Sequence, residues 1–179
     1  MPSSNDSCLF GPFTARTISE TQKQHYQDSV VKFKHIAEHE SFEVRFIRYT
    51  HWSNALDTYN SRYLMSVLID VQESVCERPV ILKCRDGYSR SGLFAVLLCL
   101  VERNKQDGEV VVAKTVRMIR RRRNQVSTNE AQYQFCHQFM KEYIEGCRSE
   151  IISTCETTYM DLQGQQNQYS KTSSVKARF

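Results

Sequence analysis

Hydrophobic and polar residues change rhythm once along the chain, from a period of two to a period near 3.6. Phe10-Gly11-Pro12-Phe13-Thr14-Ala15-Arg16-Thr17-Ile18 opens with a Gly-Pro turn and then alternates. His25 to Ile36 alternates through Tyr26, Val31 and Phe33, and Phe42 to Tyr49 alternates strictly. A period of two puts one set of side chains on one face of a pleated strand, so these stretches predict three strands joined by short polar connections, an antiparallel segment. From Ala55 to Cys76, Tyr63, Leu64, Val67, Leu68, Val71 and Val75 recur at helical spacing, and Glu77-Arg78-Pro79 ends that helix. Val80-Ile81-Leu82 is a short, largely β-branched run and predicts a buried strand; Leu93 to Val101 predicts a buried helix. Gln106-Asp107-Gly108 is a turn. Val110 to Arg123 predicts a helix with Val112, Val116 and Ile119 apolar, and Glu130 opens a last helix with Phe139, Met140, Tyr143 and Ile144 inward.

Composition sets the limits of this reading. The chain has 179 residues, 40% of them hydrophobic, which suits one domain with its own core. Residues 1–9 read as a flexible N-terminus, 10–146 as the folded domain, and 147–179, rich in Gln, Ser and Asn, as a disordered tail. Within that tail Tyr159-Met160-Asp161-Leu162 has the form of a phosphotyrosine docking motif. A net charge of +4 favours anionic ligands in general without singling out nucleic acid. Arg120 to Arg123 reads as a solvated helix end favoured by the helix dipole; with no aromatic interleaving, no nucleic-acid partner is expected. The seven cysteines are odd in number, scattered and free of C-x-x-C pairs, so free thiols in a reducing, cytoplasmic setting are expected, with no metal and no cofactor. No apolar run is long enough to span a bilayer, although the chain also suits the intracellular part of a membrane receptor.

The chemistry concentrates in Val80 to Gly92, V-I-L-K-C-R-D-G-Y-S-R-S-G. A strand, a polar loop and a helix N-terminus in succession make an anion site, because loop N–H groups and the helix dipole both point at the ligand. Cys84 opens the loop and Arg90 closes it, with Gly87 between them. An Arg there grips a phosphoryl group bidentately, and a Cys above such donors favours the nucleophilic thiolate.

This Cys-x5-Arg-Ser stretch resembles the phosphate loop of protein tyrosine phosphatases. The resemblance implies that Cys84 attacks phosphorus to form a phosphocysteine. Arg90 and the N–H groups of Arg85, Asp86, Gly87, Tyr88 and Ser89 would hold the phosphoryl oxygens, and Ser91 would assist departure of the thiolate. Tyr49-Thr50-His51-Trp52-Ser53-Asn54 resembles the strand that enters the family's mobile Trp-Pro-Asp loop, with Trp52 as the hinge of the lid beside the substrate and Asn54 at the general acid's position. An amide cannot supply that proton. Asp57, three residues on, reads more readily as an exposed loop or helix-cap residue than as a substitute. Thr128 to Phe135 resembles the family's Gln-Thr-x-x-Gln-Tyr-x-Phe stretch: Thr128 stands at the first Gln, while Gln132, near the hydrolytic water, and Tyr133 match. An ordinary helix start, with Ser127 or Thr128 as N-cap, holds at the same time.

The resemblance runs from Phe10 to Ile144. It implies an α/β fold, a twisted mixed sheet flanked by helices on both faces, with the family's N-terminal part missing and sheet surface left uncovered. Lys83 replaces the usual His and Ser89 the second loop Gly. With the lost Asp and Gln, this most resembles the degenerate second domain of receptor-type tyrosine phosphatases. The function implied is hydrolysis of phosphotyrosine on proteins or peptides, weak for want of the acid. The alternative is a pseudophosphatase that binds phosphotyrosine or regulates an adjacent or partner phosphatase domain. Redox sensing through Cys84 is compatible with either.

Overall fold

A computed structural model describes residues 7–38, 40–52, 60–74, 79–126 and 129–147. Four strands pair in chain order, β1 (Ser7–Phe10), β2 (Phe13–Gln22), β3 (Tyr26–His35) and β4 (Ser41–Tyr49), and every pairing is antiparallel. The three alternating stretches are all strands. β1 is an addition within the stretch whose polarity suggested a flexible N-terminus; the tight Gly11-Pro12 turn folds it back, placing Phe10 opposite Phe13 and Ser7 opposite Arg16.

The pleat sorts the sheet into two faces. On one, Phe33 lies opposite both Ala15 and Phe42, and Val31 opposite Thr17 and Val44. Phe33 stacks on Phe42 at 5.4 Å, and Phe13 meets Phe42 edge-on at 5.9 Å. The other face carries Tyr26, Ile47 and Tyr49, which join the helical core. That face is also clipped to the first helix, α1 (Ser61–Ser74). Asp70 of α1 receives Lys23 Nζ at 2.8 Å and the Tyr26 hydroxyl. Beside it, Arg45 Nε donates to Asp28 at 2.9 Å, and this hydrogen bond holds the Asp28 carboxyl below its usual range.

Val80–Leu82 corrects the sequence reading. The segment joins no ladder among the described residues, and Ile81 is 89% exposed. Apolar β-branched residues favour extended backbone, but a strand needs a partner edge as well. β4 spends its described ladder on β3 alone.

α1 begins at Ser61 rather than Ala55, because Asn60 caps it: its side-chain oxygen accepts the Tyr63 N–H at 3.2 Å. α2 (Ser89–Asp107) is longer than its apolar run, reaching back into the loop and ending at Gly108. α3 is Val112–Arg120, and α4 covers residues 130–147. No helix among the described residues is long and apolar enough to cross a membrane. Leu64 and Leu68 of α1, Leu93, Leu97 and Leu100 of α2, and Phe139 and Met140 of α4 form the fully buried centre. Phe139→Ala removes the largest of these side chains and is expected to cost about 3–5 kcal/mol, read as a lowered urea midpoint. A midpoint unchanged by the substitution would place the folding core elsewhere.

Candidate active site

The loop between Leu82 and α2 is shaped by two glycines. Gly87 has φ 76°, a left-handed conformation that side chains with a Cβ rarely adopt, and it turns the chain toward the helix. Gly92, in the first turn of α2, donates its N–H to Tyr88 O at 2.9 Å. A Cβ on Gly92 would lie 2.7 Å from Val126 Cγ2, so the absence of a side chain lets the helix start press against the loop that follows α3. Val126 is in turn held by Arg120, whose Nε donates to its carbonyl at 2.8 Å. Gly92→Ala is expected to destabilise the fold by about 1–3 kcal/mol through overpacking, with Val126→Ala in the same chain restoring part of the loss. Urea midpoints of the two single variants and the double variant check this; a purely additive double variant would exclude the contact as the cause.

Cys84 is half-buried at the loop's opening. Its Sγ lies 3.0 Å from Ser91 Oγ, one turn into α2, and the thiol donates to Asp86 Oδ1 at 3.1 Å. The same carboxylate oxygen accepts the N–H groups of Tyr88 at 3.0 Å and Ser89 at 2.9 Å, and Asp86 also accepts the Ser89 hydroxyl. The Ser89 hydroxyl first, then these two N–H groups and the thiol, hold the Asp86 carboxyl well below the usual carboxylate range. Arg85 is exposed, while Gly87, Tyr88, Ser89 and Arg90 are half-buried.

Two distant stretches meet this loop. The Arg90 guanidinium carbon lies 5.7 Å from the centre of the Trp52 ring, within cation–π range, and Trp52 itself packs edge-on against Tyr49 at 5.2 Å. Burial pushes the Tyr49 phenol up to about 12, so this ring stays neutral. Gln132, buried at the start of α4, points its Nε2 at the Ser89 carbonyl at 3.5 Å, a long contact. Trp52, Cys84, Arg90, Ser91 and Gln132 are thus parts of one region. Asn54, Asp57 and Thr128 lie outside the described residues.

Sequence reasoning missed two features. Asp86 entered only as one of several loop N–H donors, yet its side chain binds the loop's own backbone; an Asp two and three residues ahead of the N–H groups that open a helix was the available signal. Arg123 is exposed, as a solvated helix end should be, and its guanidinium also sits beside the loop, 3.4 Å from where a Gly87 Cβ would stand, which the sequence did not show. No local pattern distinguishes it from its arginine neighbours.

A family model described as Protein-tyrosine phosphatase matches residues 1–142. Receptor-type tyrosine-protein phosphatase alpha of Homo sapiens is 24% identical over 139 residues, which is 76% of this chain and 17% of that protein. A receptor-type tyrosine-protein phosphatase of Caenorhabditis elegans is 27% identical over 154 residues, 79% of this chain and 11% of that protein. Tyrosine-protein phosphatase Lar-like, also of Caenorhabditis elegans, is 23% identical over 150 residues, 83% of this chain and 7% of that protein. The chain therefore spans less than a fifth of the length of each of these three relatives.

Proposed function

The chain belongs to the protein-tyrosine phosphatase family, and on that premise we propose that it acts on phosphotyrosine in proteins through a phosphocysteine formed on Cys84. The observation that carries this reading is the placement of Cys84 Sγ 3.0 Å from Ser91 Oγ, at a loop that runs directly into the N-terminus of α2. The Cys84 thiolate attacks phosphorus and the phosphorus–oxygen bond to tyrosine breaks. The leaving phenolate takes its proton from water, because Asn54 has none to give. In the second step water attacks the phosphocysteine, the sulfur–phosphorus bond breaks, and the Ser91 hydroxyl stabilises the departing thiolate. Gln132 is assigned to that water. Arg90 and the loop N–H groups offset the charge on the phosphoryl oxygens.

A missing acid penalises poor leaving groups most. The enzyme reading therefore predicts turnover of an activated aryl phosphate, much slower turnover of a phosphotyrosine peptide, and loss of both in Cys84→Ser. Activity that survives Cys84→Ser would refute the mechanism. The second reading is a pseudophosphatase that holds phosphotyrosine or regulates a neighbouring phosphatase domain; it draws on Asn54 and on the engagement of two loop N–H groups by Asp86. Phosphopeptide binding without turnover of either substrate would favour it. Both readings suit a reducing, cytoplasmic setting, in which the Cys84 thiol stays free.

A further inference from the structure

Three donors converge on one oxygen inside the loop: the Tyr88 N–H at 3.0 Å, the Ser89 N–H at 2.9 Å and the Cys84 thiol at 3.1 Å, all on Asp86 Oδ1. Asp86 also accepts the Ser89 hydroxyl through Oδ2. N–H groups in a loop that opens a helix are the donors an oxyanion uses. Here an anion from the loop itself engages them. Asp86 is exposed, so packing among the described residues leaves it room to rotate away.

Resting on the phosphoryl-binding reading above, we propose that Asp86 is an internal competitor and a specificity-determining residue: its carboxylate occupies the N–H groups that phosphoryl oxygens take, and a ligand binds only by displacing it. The consequence is selection. Inorganic phosphate offers the loop nothing beyond its oxygens and must displace one anion with another. A phosphotyrosine peptide brings its ring and flanking residues, whose contacts offset the displacement. Discrimination of this kind rests on a built-in unfavourable term against the smaller ligand.

Asp86 is also placed as a helix cap, and the two roles separate by substitution. Asn caps as well as Asp does but carries no charge, so Asp86→Asn keeps the cap and removes the competing anion; Asp86→Ala removes both. The affinity of inorganic phosphate is measured by the protection it gives Cys84 against iodoacetamide, with the Cys84 peptide quantified by mass spectrometry. Asp86→Asn is expected to bind phosphate at least about tenfold more tightly than wild type, a shift of about 1.4 kcal/mol. Asp86→Ala is expected to do the same where it folds. Equal affinity in wild type and Asp86→Asn overturns the competitor role and leaves the phosphoryl loop standing. No protection of wild type or either variant at high millimolar phosphate overturns the phosphoryl reading itself, and the inference with it.

Discussion

Asn54→Asp is expected to raise phosphotyrosine-peptide hydrolysis by about 10²–10⁴-fold, the usual contribution of a positioned general acid. That range corresponds to about 3–5.5 kcal/mol of transition-state stabilisation. The activated aryl phosphate should gain far less, because its leaving group departs without a proton. The position is set by sequence: Trp52, Ser53 and Asn54 follow the end of β4, and Trp52 stands within 5.7 Å of Arg90. The measurement is kcat for both substrates, in wild type and variant, across pH. With an acid present, kcat for the peptide should also acquire a descending alkaline limb that wild type lacks, since the acid must be protonated to act. A gain confined to the activated ester, or no gain with either substrate, would remove Asn54 from the catalytic position and direct attention to Asp57.

Arg90→Lys is expected to lower kcat/KM for the activated aryl phosphate by about 10²–10³-fold, the scale on which preorganised oxyanion donors act. The charge is conserved, so a simple Coulomb account predicts little change. The guanidinium differs in being a rigid, planar fork that grips two oxygens and stacks on an aromatic face. The second is seen here in its position near the Trp52 ring, and the first is the role proposed for it. A loss divided between kcat and KM is expected, since the fork meets phosphoryl oxygens in the ground state and more strongly as charge redistributes. A variant with wild-type constants would mean that Arg90 only supports Trp52. In that case Trp52→Phe, which keeps an aromatic face, should reproduce wild-type behaviour as well.

The legible parts of this molecule were those written in short-range periodicity. Period-two alternation marked β2, β3 and β4, and helical spacing marked α1, α3 and α4, because each pattern reports which side of an element faces apolar neighbours; α2 was marked by its continuous apolar run. The Cys84–Gly92 stretch was legible as a polar loop running into a helix N-terminus for the same local reason, its order of apolar and polar residues. Gln132 and Trp52 were placed by family resemblance, and the fold brings both against that loop.

Sequence alone determined β2, β3, β4 and the helices as elements, and the spacing of Cys84 and Arg90 about the loop. Tertiary structure decided the rest. Ile81 is apolar and β-branched yet exposed, because strand formation depends on a partner edge that the residue itself does not encode. Arg123 stands beside Gly87 and Val126 packs into the space a Gly92 side chain would take, contacts across more than 30 residues of chain. Asp86 turned from one more loop residue into the occupant of the loop's donors, since hydrogen-bond competition is settled by distances and angles. Periodicity encodes which face of an element is buried; it does not encode which groups reach one another once those faces have met.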